Sequence, residues 1–434
     1  MIGVLGVGQR GIAEMLLAQG VAVSGSDIGD GAEELIKRGL CFFNSHSEDN
    51  VKGASLVVYT LAISEDNPEY SYARKNGIPT ASRAELAAYL LSLCERSICV
   101  AGSHGKSTVT ALLAHIFRFA GKEPSVLLGA ELEKGRFSEV GGGELFVAEA
   151  CEYKDSFLKF RPSIAIVNNV ELDHTDYFSS LAALKRSFVK YASHASELVL
   201  LNADDAGALS IKNEVSARVL TYGSASDCDY RMTNVAVGVG ECIFSLSKNG
   251  RELGEFRLHL AGSFNAENAV AAIAAAYECG VDIELIRGGV SSFKGVARRL
   301  EYIGSYKSRP VFYDYAHHPT EIRGGISALR TLGADVLTVV FKSHTYTRTA
   351  ALWDDFVRAL SLADFAVIGD IYGAREKNES GISPVKLARD IGEGAIYSSD
   401  DEITKALDNL TRGAIVLMGA ADMTGILERM NLKK

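Results

Sequence analysis

Ile98-Cys99-Val100-Ala101, followed at once by Gly102-Ser103-His104-Gly105-Lys106-Ser107-Thr108, is the stretch from which the fold is read. A short apolar run ends in a glycine-rich loop, and residues 109–120 then carry helical periodicity. A loop between a strand end and a helix N-terminus turns backbone N–H groups toward an anion. A lysine at the position of Lys106 can reach β- and γ-phosphates, and a following hydroxyl, Ser107, can ligate magnesium. The spacing is shorter than the general GxxxxGK[ST] form. The order strand, loop, lysine, hydroxyl and helix therefore carries the reading.

Working outward, buried strands are expected at 145–148, 164–168 and 198–201, with helical segments between them. That alternation calls for a mostly parallel, doubly wound sheet. Residues 218–260 break the pattern with short alternating segments and a turn at Lys248-Asn249-Gly250, which suggests a small antiparallel subsheet. An alanine-rich helix follows over 266–277. Upstream, residues 2–7 read as a strand running into Gly6-Val7-Gly8-Gln9-Arg10-Gly11 and a helix. A second strand over 21–26 ends on Asp27, about 20 residues after the glycines, the layout of a dinucleotide-binding βαβ unit. A further strand is expected at 56–60. Downstream, strands at 311–315, 336–341, 365–368 and 414–418 restart the alternation. The expected architecture is α/β with three domains. Residues 1–94 form a Rossmann-like domain, 95–296 a P-loop-type central domain with the antiparallel subsheet, and 297–434 a second Rossmann-like domain, joined by short hinges.

Composition agrees with a multidomain globular chain of 434 residues, 47% hydrophobic and 23% charged. With 45 basic and 54 acidic residues the net charge is −9, which disfavours a nucleic-acid partner. A nucleotide can still bind where loops and magnesium supply local positive potential. The seven cysteines have no CxxC spacing and suit a reducing compartment. The N-terminus has no basic n-region or cleavage site. No apolar run nears the roughly 20 residues that span a bilayer. A cytoplasmic address without membrane insertion is the expectation; oligomeric state stays open.

Two more segments leave buried strands beside the loop. Glu149-Ala150-Cys151-Glu152 would place carboxylates at a strand's C-terminal end, where they can hold magnesium, although such a segment can equally be a solvated loop. Asn168-Asn169-Val170-Glu171-Leu172-Asp173-His174-Thr175-Asp176-Tyr177 offers carboxylates and an imidazole, with a surface turn as the bland alternative.

Together, in this order and spacing, these three segments resemble the Mur ligases. Further matches are Gly262-Ser263-Phe264-Asn265-Ala266-Glu267-Asn268, Arg298-Arg299, Asp314-Tyr315-Ala316-His317-His318-Pro319-Thr320-Glu321, His344-Thr345-Tyr346-Thr347-Arg348-Thr349 and Ile371-Tyr372-Gly373-Ala374-Arg375-Glu376. The last three resemble signatures of the family's L-alanine-adding branch. The resemblance covers essentially the whole chain. It implies an ATP- and Mg2+-dependent ligase joining L-alanine to UDP-N-acetylmuramate through an acyl phosphate. Two alternatives remain: a paralogous ligase that takes another acceptor, such as a recycled murein tripeptide, or a degenerate nucleotide-sugar-binding regulator.

Carried over residue by residue, the resemblance implies that Gly102, Ser103, His104, Gly105, Lys106, Ser107 and Thr108 cradle the phosphates. It assigns the metal ions to Ser107, Glu149 and His174, and the adenine end to Asn265 and Asn268. Arg299 and Asp314 would reach the nucleotide from the third domain. Lys106, Glu149, His174, His317 and Arg348 would serve catalysis. Gly6, Gly8, Gly11, Asp27, Arg83, Tyr315, His317, His344 and Arg348 would bind substrates. Each has a bland counterpart: Arg299 as a hinge charge, Tyr315 as a core aromatic, His317 or His318 as the cap of a helix beginning near Pro319. The chain also departs from the family pattern. Its first glycine loop is about three residues shorter than the family's usual turn. Phe264 stands where a histidine is usual, Lys342-Ser343 where Gln-Pro is, Ser45-His46 where Gly-His is, and Gly419-Ala420-Ala421-Asp422 matches GAGD imperfectly.

Overall fold

The computed structural model describes residues 1–132, 135–374, 376–379 and 381–433. Three sheets organise the chain. In the first, the pairs Ser24–Ser26/Cys41–Phe43 and Val57–Tyr59/Thr80–Ser82 are parallel, and Ile2 bridges both Ser26 and Tyr59. Counted in chain order the five positions therefore lie 3-2-1-4-5, the doubly wound order with its switch point at the first strand. The strand expected over 2–7 is only the Ile2 bridge. The chain turns at Gly3, whose φ is +74°, and the helix Val7–Ala18 has already begun. Gly8 and Gly11 thus lie inside that helix, with Gly6 as its N-cap, and the loop proper is shorter than the sequence suggested.

The central sheet has ten strands. Arg96–Ala101 lies between Leu145–Glu149 and Ile164–Val167, all parallel, because each is apolar on both faces and both faces are covered. Leu198–Asn202 and Val219–Gly223 continue the parallel run. Tyr230–Gly238, Glu241–Lys248 and Arg251–Leu258 then form the antiparallel subsheet as an extension of the same sheet. Its second hairpin turns on Asn249 and Gly250, with φ +48° and +79°, as a tight two-residue turn requires. Helices Lys106–Phe119, Phe264–Glu278 and Ile283–Ser292 cover one face through Leu112, Ile116, Ile273 and Ile286. On the other face Ile12, Met15, Leu86 and Leu90 of the first unit join Phe157, Phe188 and Tyr191 in one core, so the first unit is packed against the central sheet.

The third sheet runs Glu301–Tyr306, Arg309–Asp314, Ala414–Met418, Leu337–Phe341, Phe365–Ile368, Ala395–Tyr397, parallel except for the first pair. Among the described residues no helix is long and apolar enough to cross a membrane.

Candidate active site

The parallel strands of the central sheet end together, and their C-terminal ends carry the polar residues. After Arg96–Ala101 the chain needs two positive-φ glycines, Gly102 at +144° and Gly105 at +79°, to turn into helix Lys106–Phe119. A Cβ on Gly102 would approach Asn169 N at 3.2 Å, and one on Gly105 would strike the Asn268 side chain, so the loop is held against both neighbours. The backbone N–H of His104 donates to Asn169 Oδ1 (2.7 Å), and Ser103 Oγ donates to the Glu171 carbonyl (2.8 Å). Ser107 and Thr108 are buried in the first turn of the helix.

Lys106 Nζ donates to the Gly102 and Ser103 carbonyls and lies 3.1 and 3.3 Å from the two carboxylate oxygens of Glu152. Burial opposes its charge, but Glu152, Cys151 and Glu149 outweigh that and raise it to about 12. Glu152 is 1% exposed and also has His174 Nε2 at 3.7 Å. Glu149 closes the neighbouring strand; its Oε1 is buried without a hydrogen-bond partner, and Gly129 leaves room where any Cβ would strike the carboxylate. Lys106, Glu149, Glu152 and His174 therefore share one corner, with Ser107 opening the same helix.

The third unit closes over this corner. Arg348 Nε binds Asp173 Oδ1 at 2.7 Å with both side chains buried, and His317 Nε2 lies 3.9 Å from Asp173 Oδ2. Burial opposes the charge on Asp173, yet Arg348, His174 and His317 hold its carboxyl well below the usual range. Burial lowers His317 to about 3 and His344 to about 4, so both are neutral imidazoles at neutral pH. His344 Nδ1 lies 3.3 Å from Arg348 Nη1. Tyr315 is not a core aromatic: it is partly exposed, with the guanidinium groups of Arg298 and Arg299 over its ring at 5.3 and 5.4 Å. Arg299 Nη2 donates to Ser107 Oγ at 3.3 Å, which ties the hinge arginine to the phosphate loop. The capping alternative holds for His318, which is the N-cap of helix Pro319–Thr331 in a capping box with Glu321.

Between the two units is a cavity of about 470 Å³ bounded by the loop, the start of helix Phe264–Glu278 and helix Pro319–Thr331. Asn265, Asn268, Arg299 and Asp314 line it, as do Gly105 and Thr108. Asn268 Nδ2 donates to Asn265 Oδ1 (3.3 Å), and Asn265 Nδ2 to the Ala261 carbonyl (2.7 Å). Phe264 forms part of the wall against Gly262 and Gly324. Burial pushes Asp314 up to about 7, Arg299 offsetting it only in part. The cavity also exposes Asn202, Asp204, Tyr222 and Arg323, which the sequence reading passed over. Asn202 ends the strand Leu198–Asn202, so the strand-end rule applied to Glu149 would have found it.

The first-unit residues lie on their own sheet's switch point. Asp27 Oδ2 accepts from Leu5 N (2.9 Å) and Oδ1 from Ile28 N (2.8 Å), so Asp27 orders the short turn. A Cβ on Gly8 would meet the Arg83 side chain at 2.8 Å, and one on Gly11 would meet Leu127 Cδ1 at 2.8 Å. Gly8 thus seats Arg83, whereas Gly11 admits the central unit. Arg10 lies over the Phe137 ring at 5.3 Å and donates to the Gly31 carbonyl at 3.3 Å. Arg375 lies outside the described residues.

A glycine-rich loop between a parallel strand and a helix, acidic residues at the flanking strand ends and a third α/β unit closed over them make up the strand–loop–helix arrangement of the phosphate-loop class of proteins. Family models for the Mur ligase family catalytic domain, the Mur ligase middle domain and the Mur ligase glutamate ligase domain match residues 1–93, 100–276 and 298–421. The chain is 37% identical over 445 residues to a UDP-N-acetylmuramate–L-alanine ligase of Alkaliphilus metalliredigens, covering 100% of this chain and 97% of that protein. It is 38% identical over 446 residues to one from Aquifex aeolicus, covering 100% and 98%. The crystal structure of the UDP-N-acetylmuramate–alanine ligase of Thermotoga maritima superposes with a TM-score of 0.84 at 27% identity, covering 99% of this chain and 97% of that one. The chain belongs to the Mur ligase family.

Proposed function

We infer that this chain joins the carboxylate of UDP-N-acetylmuramate to the amine of L-alanine, consuming ATP and forming ADP and phosphate. The observation that carries this is end-to-end similarity, at 37% and 38% identity, to two UDP-N-acetylmuramate–L-alanine ligases, in a chain that brings Lys106, Glu149 and Glu152 to one corner. Residues 1–94 hold the UDP-sugar, 95–296 the ATP and 297–434 the amino acid.

A carboxylate is too poor an acylating agent for an amine at neutral pH. Its oxygen first attacks the γ-phosphorus, and ADP departs. The neutral amine then attacks the acyl-phosphate carbon, loses a proton, and phosphate leaves. Lys106 turns from Glu152 to the phosphate oxygens and stabilises charge on the transferring group. Oxygen donors at Ser107 and Glu149, with His174 beside them, suit Mg2+, and the unpartnered Glu149 Oε1 fits a ligand role. When bound, Mg2+ lowers the repulsion between carboxylate and γ-phosphate. Asn265 and Asn268 orient the base, and Arg299 and Asp314 fix the nucleotide from the third unit. His317, His344, Tyr315 and Arg348 surround the amino acid. Closure of the third unit excludes water from the acyl phosphate.

The test is phosphate release with UDP-N-acetylmuramate, ATP and Mg2+ against a panel of amino acids and the murein tripeptide. Dependence on L-alanine supports the assignment. Turnover with the tripeptide alone replaces it with the paralogous ligase, and no turnover with any acceptor would make the chain a binding module.

A further inference from the structure

The seam between the central unit and helix Pro319–Thr331 contains a cluster at the edge of the nucleotide cavity, which His104 and Glu171 also line, and the proposed ligase reaction assigns no role to Glu171 or His318. His104, Glu171 and His318 bring one ligand atom each to within 4.8 Å of one another. His104 Nε2 lies 2.8 Å and His318 Nδ1 3.6 Å from the same oxygen, Glu171 Oε2. Donors around a tetrahedral zinc ion, with bonds near 2.0–2.1 Å, stand about 3.3 Å apart, so the two Glu171 contacts already lie near that spacing, and the widest separation, at most 4.8 Å, would close by about 1.5 Å. The other nitrogen of His104, Nδ1, faces Glu321 Oε1 at 3.2 Å, the carboxylate–histidine arrangement that orients a metal-bound imidazole. His318 is 6% exposed, and its Nε2 is buried without a hydrogen-bond partner. Both imidazoles bind a metal only as neutral rings, so uptake displaces the proton that Glu321 and Glu171 favour on His104. Its Nδ1 would exchange one long capping bond from Thr320 N, 3.3 Å.

We propose that His104, Glu171 and His318 form a site for a divalent transition-metal cation of the zinc class, which clasps the third unit onto the phosphate loop. Two imidazoles and one carboxylate favour zinc, cobalt or nickel over Mg2+, which prefers all-oxygen shells. The ligands come from both sides of the seam: His104 from the loop and Glu171 from the neighbouring strand end, His318 from the helix cap of the third unit. A cation there holds the units together, so it slows any step that needs them to part, and it inhibits rather than supports turnover. The cluster is separate from the proposed magnesium ligands Ser107, Glu149 and His174.

The experiment is calorimetric titration of Zn2+ into the full chain in excess Mg2+, with Co2+ absorption as a second readout. The wild type is expected to take one equivalent. His318→Asn, which keeps a good capping side chain, and Glu171→Gln should each weaken binding at least about 10-fold, the scale on which even outer-shell changes act. In phosphate release, Zn2+ should inhibit the wild type, and His318→Asn should resist it while turning over normally in Mg2+ alone. Absence of Zn2+ binding by the wild type, wild-type affinity in both variants, or a thiolate–cobalt band would overturn the site. Should one variant fail to fold by thermal melting, the other decides. The calorimetric arm reads the site even if the ligase assignment fails.

Discussion

Lys106→Ala separates two kinds of work done by the loop lysine. In the structure its ammonium lies against Glu152, 1% exposed, at 3.1 and 3.3 Å. Removing one partner of a buried ion pair costs about 3–5 kcal/mol. Two features reduce that: His174 remains 3.7 Å from Glu152, and the lysine side chain is 16% exposed, so solvent can enter the space it leaves. The expected loss is about 2–3 kcal/mol. At about 2–4 °C per kcal/mol for a unit of this size, the transition of the central unit should fall by about 4–12 °C. Lys106, raised to about 12, contributes its stabilisation fully below its unfolded value and loses it only as pH rises through about 12, so the contrast is constant around neutrality. Turnover should fall about 100-fold or more, the scale of losing one electrostatic stabiliser. Adding Glu152→Gln removes the stranded carboxylate, and it should restore most of the melting temperature and none of the activity. The assays are calorimetric melting and phosphate release for the two variants side by side. Near-normal phosphate release in Lys106→Ala refutes the loop assignment. An unchanged melting temperature refutes the buried pair, and recovered turnover in the double variant would mean that the lysine only neutralises Glu152.

Three further outcomes are expected. Arg348→Ala should leave ATP binding, read by calorimetry, largely intact while amide formation falls at least about 100-fold; collapsed nucleotide binding with unchanged amino-acid dependence would reverse the domain roles. Gly8→Val pushes a side chain into Arg83, already 2.8 Å from a Cβ at that position, and should weaken UDP-N-acetylmuramate binding to the full chain; indifference to the change would remove the first turn from the substrate site. The seam should respond to pH through His104, which burial works to deprotonate but Glu321 and Glu171 hold up at about 9, and through Glu171, which burial works to protonate but His104 holds down at about 2. The histidine's contribution is complete below its unfolded value of 6.5 and fades as pH rises through about 9; that of Glu171 is complete above 4.5 and fades as pH falls toward about 2. Scattering should therefore show the chain most compact between those limits and expanding above pH 6.5; expansion on acidification from 9 to 6.5 would contradict the sign.

Much of this was legible in the chain because it is local. The apolar runs around Ile98, Val147 and Ile166 can only be strands buried on both faces, and the segment leaving a parallel strand at its C-terminal end is the loop that meets ligands. Gly102 and Gly105 were readable as a tight strand-to-helix turn, and both take the positive φ that favours glycine. The antiparallel extension and the helix starting at Pro319 came from turn and cap chemistry.

What the sequence could not determine is which of these segments meet, within a domain or across a boundary. Glu152 beside Lys106, Asp173 on Arg348, Arg299 on Ser107 and His104 between Glu171 and Glu321 join residues 46, 175, 192 and up to 217 positions apart. No period or cap encodes those pairings. They arise when three separately wound sheets bury their apolar faces and their polar strand ends are left facing one another. The first turn illustrates the same limit at short range. Gly8 and Gly11 read as loop glycines, but the helix begins at Val7, and only packing shows that Gly8 makes room for Arg83 of the same unit and Gly11 for Leu127 of the central unit.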